Sequence, residues 1–242
     1  MSVVAAYARN DLRTIVRDKL MIGVVFGPFL YSLMMWLLPP LSRFLRDRYG
    51  FDLVPYYPLA VSLFQVLGPA AVLGSVGGLI LLEDKDQRTL AALRVTPAPP
   101  SSYPIYRTVV LFVVAVVFEL AALALGQRVA PAQLARAVPA VLAAAAMATM
   151  LALLFGAVAR NKVEGLAIFR AAGLLIFGLP IIPWFVDMPG QLLFGVLPSY
   201  WCAKAFWVAM DGGNPWPYAI AGIAYSGVVG WLLTRRLARQ RT

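Results

Sequence analysis

The sequence predicts an all-α membrane protein: six transmembrane helices, an N-terminal amphipathic interfacial helix, a short charged cytoplasmic helix and an extracellular re-entrant helical hairpin. Three observations predict it. Of 242 residues, 61% are hydrophobic and 13% charged, with a mean hydropathy of +0.78, too apolar for an ordinary soluble domain of that length. The apolar residues come in long uncharged runs without strand-like alternation, which favours spanning helices over a barrel. The Lys and Arg residues flank those runs, so lipid headgroups and orientation account for the net charge of +10 without invoking nucleic acid.

Residues 1–19 are polar and amphipathic. Arg9, Arg13 and Arg17 fall four apart on one helical stripe, with Val4, Tyr7, Leu12 and Ile15 largely elsewhere. This reads as a helix in the membrane interface, its basic stripe toward headgroups. A cleavable signal is not expected, because polar residues run to Lys19 before the first apolar stretch. Residues 20–242 form a single transmembrane domain. The first span, residues 20–41, should kink at Gly27 and Pro28 and stop at Pro39 and Pro40. Residues 42–54 read as a short loop carrying Arg43, Arg46, Arg48, Asp47 and Asp52. The second span, 55–82, should bend at Gly68 and Pro69 and pack closely through Gly74, Gly77 and Gly78. The third, 103–126, starts near Arg107 and holds Glu119 deep inside. The fourth, 137–159, is rich in Ala and Met and should pack tightly. The fifth, 165–186, contains Arg170 and is broken near its end by Pro180 and Pro183. The sixth, 215–234, is followed by Arg235, Arg236, Arg239 and Arg241.

Residues 188–210 are long enough to span, but Pro189, Gly190, Pro198, Ser199 and Lys204 interrupt them. They read as two short helices, about 191–196 and 200–210, that dip into the membrane and return. Such pieces survive only when buried in protein or lining a cavity. A seventh span is the rival reading. With six spans and both termini inside, fourteen Lys and Arg lie on the cytoplasmic side and six outside, with Arg170 within the membrane. The bias favours that orientation; Arg43, Arg46 and Arg48 run against it.

Several chemistries are excluded. There is one cysteine, Cys202, and no histidine, which removes intrachain disulfides, Cys/His metal sites and histidine-dependent catalysis. No catalytic residue and no metal site are therefore expected. No Gly-x-x-x-x-Gly-Lys-Ser/Thr loop occurs, so any ATPase must be a separate polypeptide.

The densest charge cluster between two apolar segments is the stretch 83–97: Glu83, Asp84, Lys85, Asp86 and Arg88, then Thr89, Leu90 and Leu93 at helical spacing, then Pro97. Acidic residues followed by Thr-Leu, Leu three on and Pro resemble the first cytoplasmic loop of ATP-binding-cassette permeases of the small type-2 exporter class. Arg88 and Ala91 stand where that class usually has Gly and Glu. Leu-Pro-Ser-Tyr-Trp at 197–201 resembles the extracellular re-entrant segment of the same class.

The resemblance implies a coupling helix in which Glu83, Asp84, Asp86, Arg88, Thr89, Leu90 and Leu93 meet the ATPase, bordered by the N-terminal helix. It implies two ATP-binding-cassette ATPase subunits holding ATP and Mg2+, with no cofactor on this chain. It also implies a second permease copy or paralogue and the inner membrane of a bacterium. The expected function is the permease half of an ATP-driven exporter working by alternating access, with an amphipathic drug or antibiotic as substrate. The alternatives are a lipid or polysaccharide exporter of the same fold, or a channel or scaffold uncoupled from ATP. An intramembrane enzyme is poorly supported by Glu119 without a His or an acidic partner. Glu119 and Arg170 each cost several kcal/mol in a span unless they pair, reach water or snorkel. They read either as lining a substrate path or as a buried ion pair, with Arg170 alternatively snorkelling to the cytoplasmic interface.

Overall fold

The computed structural model describes residues 19–86, 102–159 and 162–239. Among these, every regular element is a helix. Helix α1 (Lys19–Trp36) carries Pro28 inside it. The prolines expected to end the first span also start a new helix, since α1 stops at Trp36 just before them. After Leu37, Pro39 and Pro40 sit in the first turn of α2 (Leu38–Tyr49), where a missing N–H loses no intrahelical bond. Residues 42–49, expected as loop, are thereby helical. Gly50 closes α2 at φ 67°, and its N–H returns to the Arg46 carbonyl. Arg46 and Arg48 lie in the last turn, where cations suit the helix dipole. Arg46 also pairs with Asp52 at 2.7 Å.

Helix α3 opens as a 3-10 turn (Val54–Tyr56) and an α-helical turn (Tyr57–Val61). It widens into a π segment (Ser62–Leu67) and then runs as an α-helix over Gly68–Asp86. The cause is local. Pro69 has no N–H to donate, and its ring presses on the carbonyl four residues back, that of Gln65. The chain widens there, and the Gly68 N–H reaches five residues back to the Leu63 carbonyl. The same pattern recurs in α6, an α-helix over Lys162–Gly173 followed by a π segment (Leu174–Gly178) and a 3-10 stretch (Leu179–Phe185). Pro180 follows that π segment by two residues, as Pro69 follows Leu67.

Helices α4 (Ser102–Gly126) and α5 (Pro131–Val158) fill the middle of the chain. A 3-10 helix (Gly190–Val196), α7 (Pro198–Met210) and α8 (Trp216–Arg239) complete it. Helix α5 is the axis: α3, α4, α7 and α8 all pack on it. Its small residues permit this, with Ala143, Ala144, Ala145 and Ala148 fully buried. A Cβ at Gly74 would lie 2.8 Å from the Ala148 carbonyl, and one at Gly78 would lie 2.6 Å from Phe155. Helices α3 and α5 therefore touch nearly backbone to backbone, as small residues allow in membrane bundles.

Contact register fixes the direction of each rod. Gly27 faces Val72 and Gly68 faces Tyr31, so α1 and α3 are antiparallel. Gly126 faces Gln65 and Gly77 faces Leu111, so α3 and α4 are antiparallel. Gly74 faces Ala148 and Gly78 faces Phe155, so α3 and α5 are parallel. Gly222 and Gly230 face Ala143 and Leu153, so α8 runs with α5. Tyr56 meets Phe185 and Gly165 meets Leu82, so α6 opposes α3. The direction thus alternates through α1, α3, α4, α5, α6 and α8, which brings Lys19 and Arg239 to one end of the bundle. Among the described residues, Val54–Glu83, Tyr106–Gly126, Pro131–Val158 and Trp216–Arg236 are long and apolar enough to cross a membrane.

Residues 190–210 form a hairpin inside this frame. Lys204 lies over the Tyr218 ring, Trp201 meets Gly222, and the Tyr225 hydroxyl donates to the Val196 carbonyl at 2.7 Å. These contacts step along α8 from its start inward, so the tip near Val196 is the deepest point. Phe185 and Asp211 flank the hairpin at the end where α3 and α8 begin. Helix α7 has 13 residues, roughly 20 Å at 1.5 Å each, against a hydrocarbon core of about 30 Å.

Candidate functional site

Helix α4 turns one stripe into the bundle: Ala115, Glu119, Ala122 and Leu123 are all fully buried. The carbonyl of Ala122 is a meeting point. Ser32 Oγ of α1 donates to it at 2.9 Å and Gln65 Nε2 of the α3 π segment at 2.6 Å. One turn outward, Trp36 Nε1 donates to the Leu125 carbonyl at 2.8 Å. Gln65 reaches α4 because position 126 is glycine; a Cβ there would overlap its amide nitrogen. On the other side of the π segment, Trp207 Nε1 of α7 donates to Ser62 Oγ at 2.8 Å, and Trp184 stands edge-on to Trp207 at 5.0 Å. The widened turn of α3 therefore ties α1, α4 and α7 together.

The seam is not fully satisfied. Gln65 Oε1 and both carboxyl oxygens of Glu119 are buried with no hydrogen-bond partner. Tyr200 Oη on α7 is likewise buried without one. Such groups are costly and uncommon in native proteins. Glu119 lies one turn along α4 from the Gln65–Ala122 contact.

At the end of the bundle where α3 begins lies an apolar pocket of about 470 Å³, lined by Phe51, Leu53, Tyr56, Leu59, Ala60, Leu63, Phe64 and Phe185. Phe51 and Tyr56 stack with centroids 5.7 Å apart. The pocket is open to the outside of the bundle, with Phe51 and Phe185 exposed. Leu63 and Phe64 belong to the π segment, so one widened turn separates this pocket from the Gln65–Ala122 contact.

Glu119 and Arg170 are not brought together. Arg170 is exposed on α6 while Glu119 is wholly buried on α4. Of the charged stretch, Leu82 is buried, Glu83 is half-buried, and α3 continues past it to Asp86. Arg88, Thr89, Leu90, Leu93 and the basic stripe Arg9, Arg13 and Arg17 lie outside the described residues. Gln65, Ser62 and Trp207 were missed as site residues. A readable signal existed, since Gln65 is an amide in the middle of an uncharged apolar run.

A family model described as fluoroquinolones export permease protein Rv2686c-like matches residues 11–234. Two curated relatives, fluoroquinolones export permease proteins Rv2686c and MT2760 from two strains of Mycobacterium tuberculosis, are each 43% identical over 233 residues. The alignment covers 96% of this chain and 92% of each of theirs. No solved structure gives a significant match.

Proposed function

Because the chain belongs to the Rv2686c-like family of fluoroquinolone export permeases, we propose that it is the permease subunit of an ATP-driven exporter of amphipathic drugs. The observation that carries the reading is the 43% identity along nearly the whole of both chains. Six rods of alternating direction support it as six membrane passes with both termini cytoplasmic. The short hairpin of 190–210 supports a re-entrant segment on the opposite side. In this reading two copies, or one copy and a paralogue, pair in a bacterial inner membrane with two separate ATPase subunits. Those subunits hold ATP and Mg2+, and their closure reaches the spans through residues 83–97.

The mechanical path is direct. Helix α3 runs without a break from the aromatic pocket through the π segment to Asp86. A push on the Asp86 end is carried along one rod to the turn where Gln65 and Ser62 hold α4 and α7. The pocket offers aromatic surface to a planar drug, and the π segment is the adjustable wall between pocket and seam.

The test is ATP-driven uptake into inside-out vesicles containing this chain and a separate ATP-binding-cassette ATPase. ATP should drive uptake of a fluoroquinolone. Leu90→Ser with Leu93→Ser should abolish uptake and release the ATPase on purification, because burial of each leucine is worth about 1.5–3 kcal/mol. Neutralising Asp84 and Asp86 should weaken the complex mainly at low salt. Full ATP-driven uptake by the double-serine variant would remove the coupling role.

A further inference from the structure

We propose that Arg48 and Tyr49, at the end of α2, bind the headgroup of an anionic phospholipid whose chain lies along the outer face of α1 and α2. Phe26, Leu30, Leu33, Leu37, Leu41 and Phe44 recur every three or four residues and are all exposed, so they form one stripe on the outside of the bundle. Leu37 joins the two helices with helical backbone (φ −80°, ψ −16°), which lets the stripe run on from α1 into α2. From Phe26 to Phe44 it extends roughly 27 Å at 1.5 Å per residue, close to the hydrocarbon thickness of about 30 Å. Arg48 is the next position of the same stripe, one turn beyond Phe44, and it is exposed. The apolar face therefore ends in a cation at the level where the hydrocarbon ends.

The chemistry of the ligand follows from what Arg48 lacks and what stands beside it. Among the described residues the ion pair at this end is Arg46 with Asp52, which leaves Arg48 without a carboxylate partner. Asp52 is further engaged by the Val54 N–H. The Tyr49 ring stands edge-on to Phe44 with centroids 6.2 Å apart, so its phenol borders the stripe beside Arg48. Rings of this kind settle at the polar edge of the hydrocarbon. A phosphodiester supplies acceptors for both donors, and its charge complements the guanidinium. Choline and ethanolamine headgroups carry their own cation beside the phosphate, whereas a glycerol headgroup does not, so the site selects for net negative charge. Arg43 is an internal contrast. It is also exposed, but it lies about 140° round the helix from Arg48, away from the stripe. The site needs only that this end of the bundle meets a membrane surface, so it goes beyond the export reading and does not depend on it.

The test uses the full chain in nanodiscs, with Leu41→Trp as a fluorescent reporter on the stripe. The probes are phosphatidylglycerol and phosphatidylcholine with brominated chains. The quenching that the reporter adds to that of the parent chain measures contact with each lipid. Phosphatidylglycerol should be preferred about fivefold, the factor that one arginine near an anionic lipid surface supplies. Arg48→Gln should abolish the preference and leave quenching by phosphatidylcholine unchanged, which shows that the variant is folded. Arg48→Lys should keep most of the preference because the charge remains, Tyr49→Phe should lower it in part, and Arg43→Gln should keep it. Equal affinity of the reporter chain for the two lipids overturns the site. A preference that survives Arg48→Gln, or that falls equally in Arg43→Gln, overturns it in favour of diffuse surface charge. Absence of quenching by either lipid overturns it in favour of a protein cover. Disulfide formation between copies through Leu41→Cys, in a Cys202→Ala background, would then identify a second copy of this chain as the occupant.

Discussion

A methyl group at position 126 would overlap the Gln65 amide nitrogen. Gly126→Ala must therefore push Gln65 away from the Ala122 carbonyl and leave a second polar atom of that amide without a partner. The expected cost is roughly 1–3 kcal/mol, the penalty of an unsatisfied buried group together with overpacking. It should appear as a lower melting temperature in detergent. Gly126→Ala combined with Gln65→Ala should be less damaging than the sum of the two singles, because shortening Gln65 removes the group that the methyl displaces. Strict additivity would show that the Gln65–Gly126 fit does not matter. The Arg46–Asp52 pair is a contrasting residue-scale feature. The Arg46 hydrogen bond, then the Val54 N–H, holds Asp52 below the usual carboxylate range. Any stability it contributes is present above that range and is lost as the pH falls through the lowered value. Both side chains are about half exposed, so solvent screens the pair.

The π segments are the features that decide how α3 and α6 meet their neighbours. One extra residue in a turn rotates everything beyond it by about 100°. Pro69→Ala gives back an N–H for the Gln65 carbonyl and removes the ring that forced the widening. Residues 62–67 should then tighten to an α-helix and carry Ser62 off Trp207 and Gln65 off Ala122. The expected result is a melting temperature that holds or rises, a shift in tryptophan fluorescence, and export reduced several-fold. Unchanged export and fluorescence would mean that the widened turn is a passive consequence of proline.

At the scale of the molecule, the alternation of six rods makes a claim about sides. In a Cys202→Ala background, cysteine at Asp47 or Gly212 should react with an impermeant thiol reagent on intact cells. Cysteine at Gln87 or Gln240 should not. Positions 47 and 212 lie toward the end of the bundle where α3 and α8 begin, and Lys19 and Arg239 lie at the other. Reaction at both Asp47 and Gln240 on intact cells would require an odd number of passes and would contradict the fold register.

Long uncharged runs bounded by Arg and Lys were enough to read the membrane class and the helical content, because burial of apolar surface and satisfaction of the backbone act locally along the chain. Proline positions were legible as disturbances but not as outcomes. Pro39 and Pro40 began a helix as well as ending one, and Pro69 widened a turn instead of only bending it. In each case the result depends on which carbonyl lies four residues back and on what packs there. Glu119 was legible as costly, yet its surroundings were not. Whether Arg170 reaches it depends on the rotation of two helices that are far apart in the chain, and a few degrees per turn decide it. Gln65 acquires its meaning only when Gly126 and Ala122 arrive beside it. The sequence determined the rods and their charges through local energetics. The tertiary structure alone decided which polar atoms are paired and which are left waiting, because that is set by how the helix faces turn toward one another.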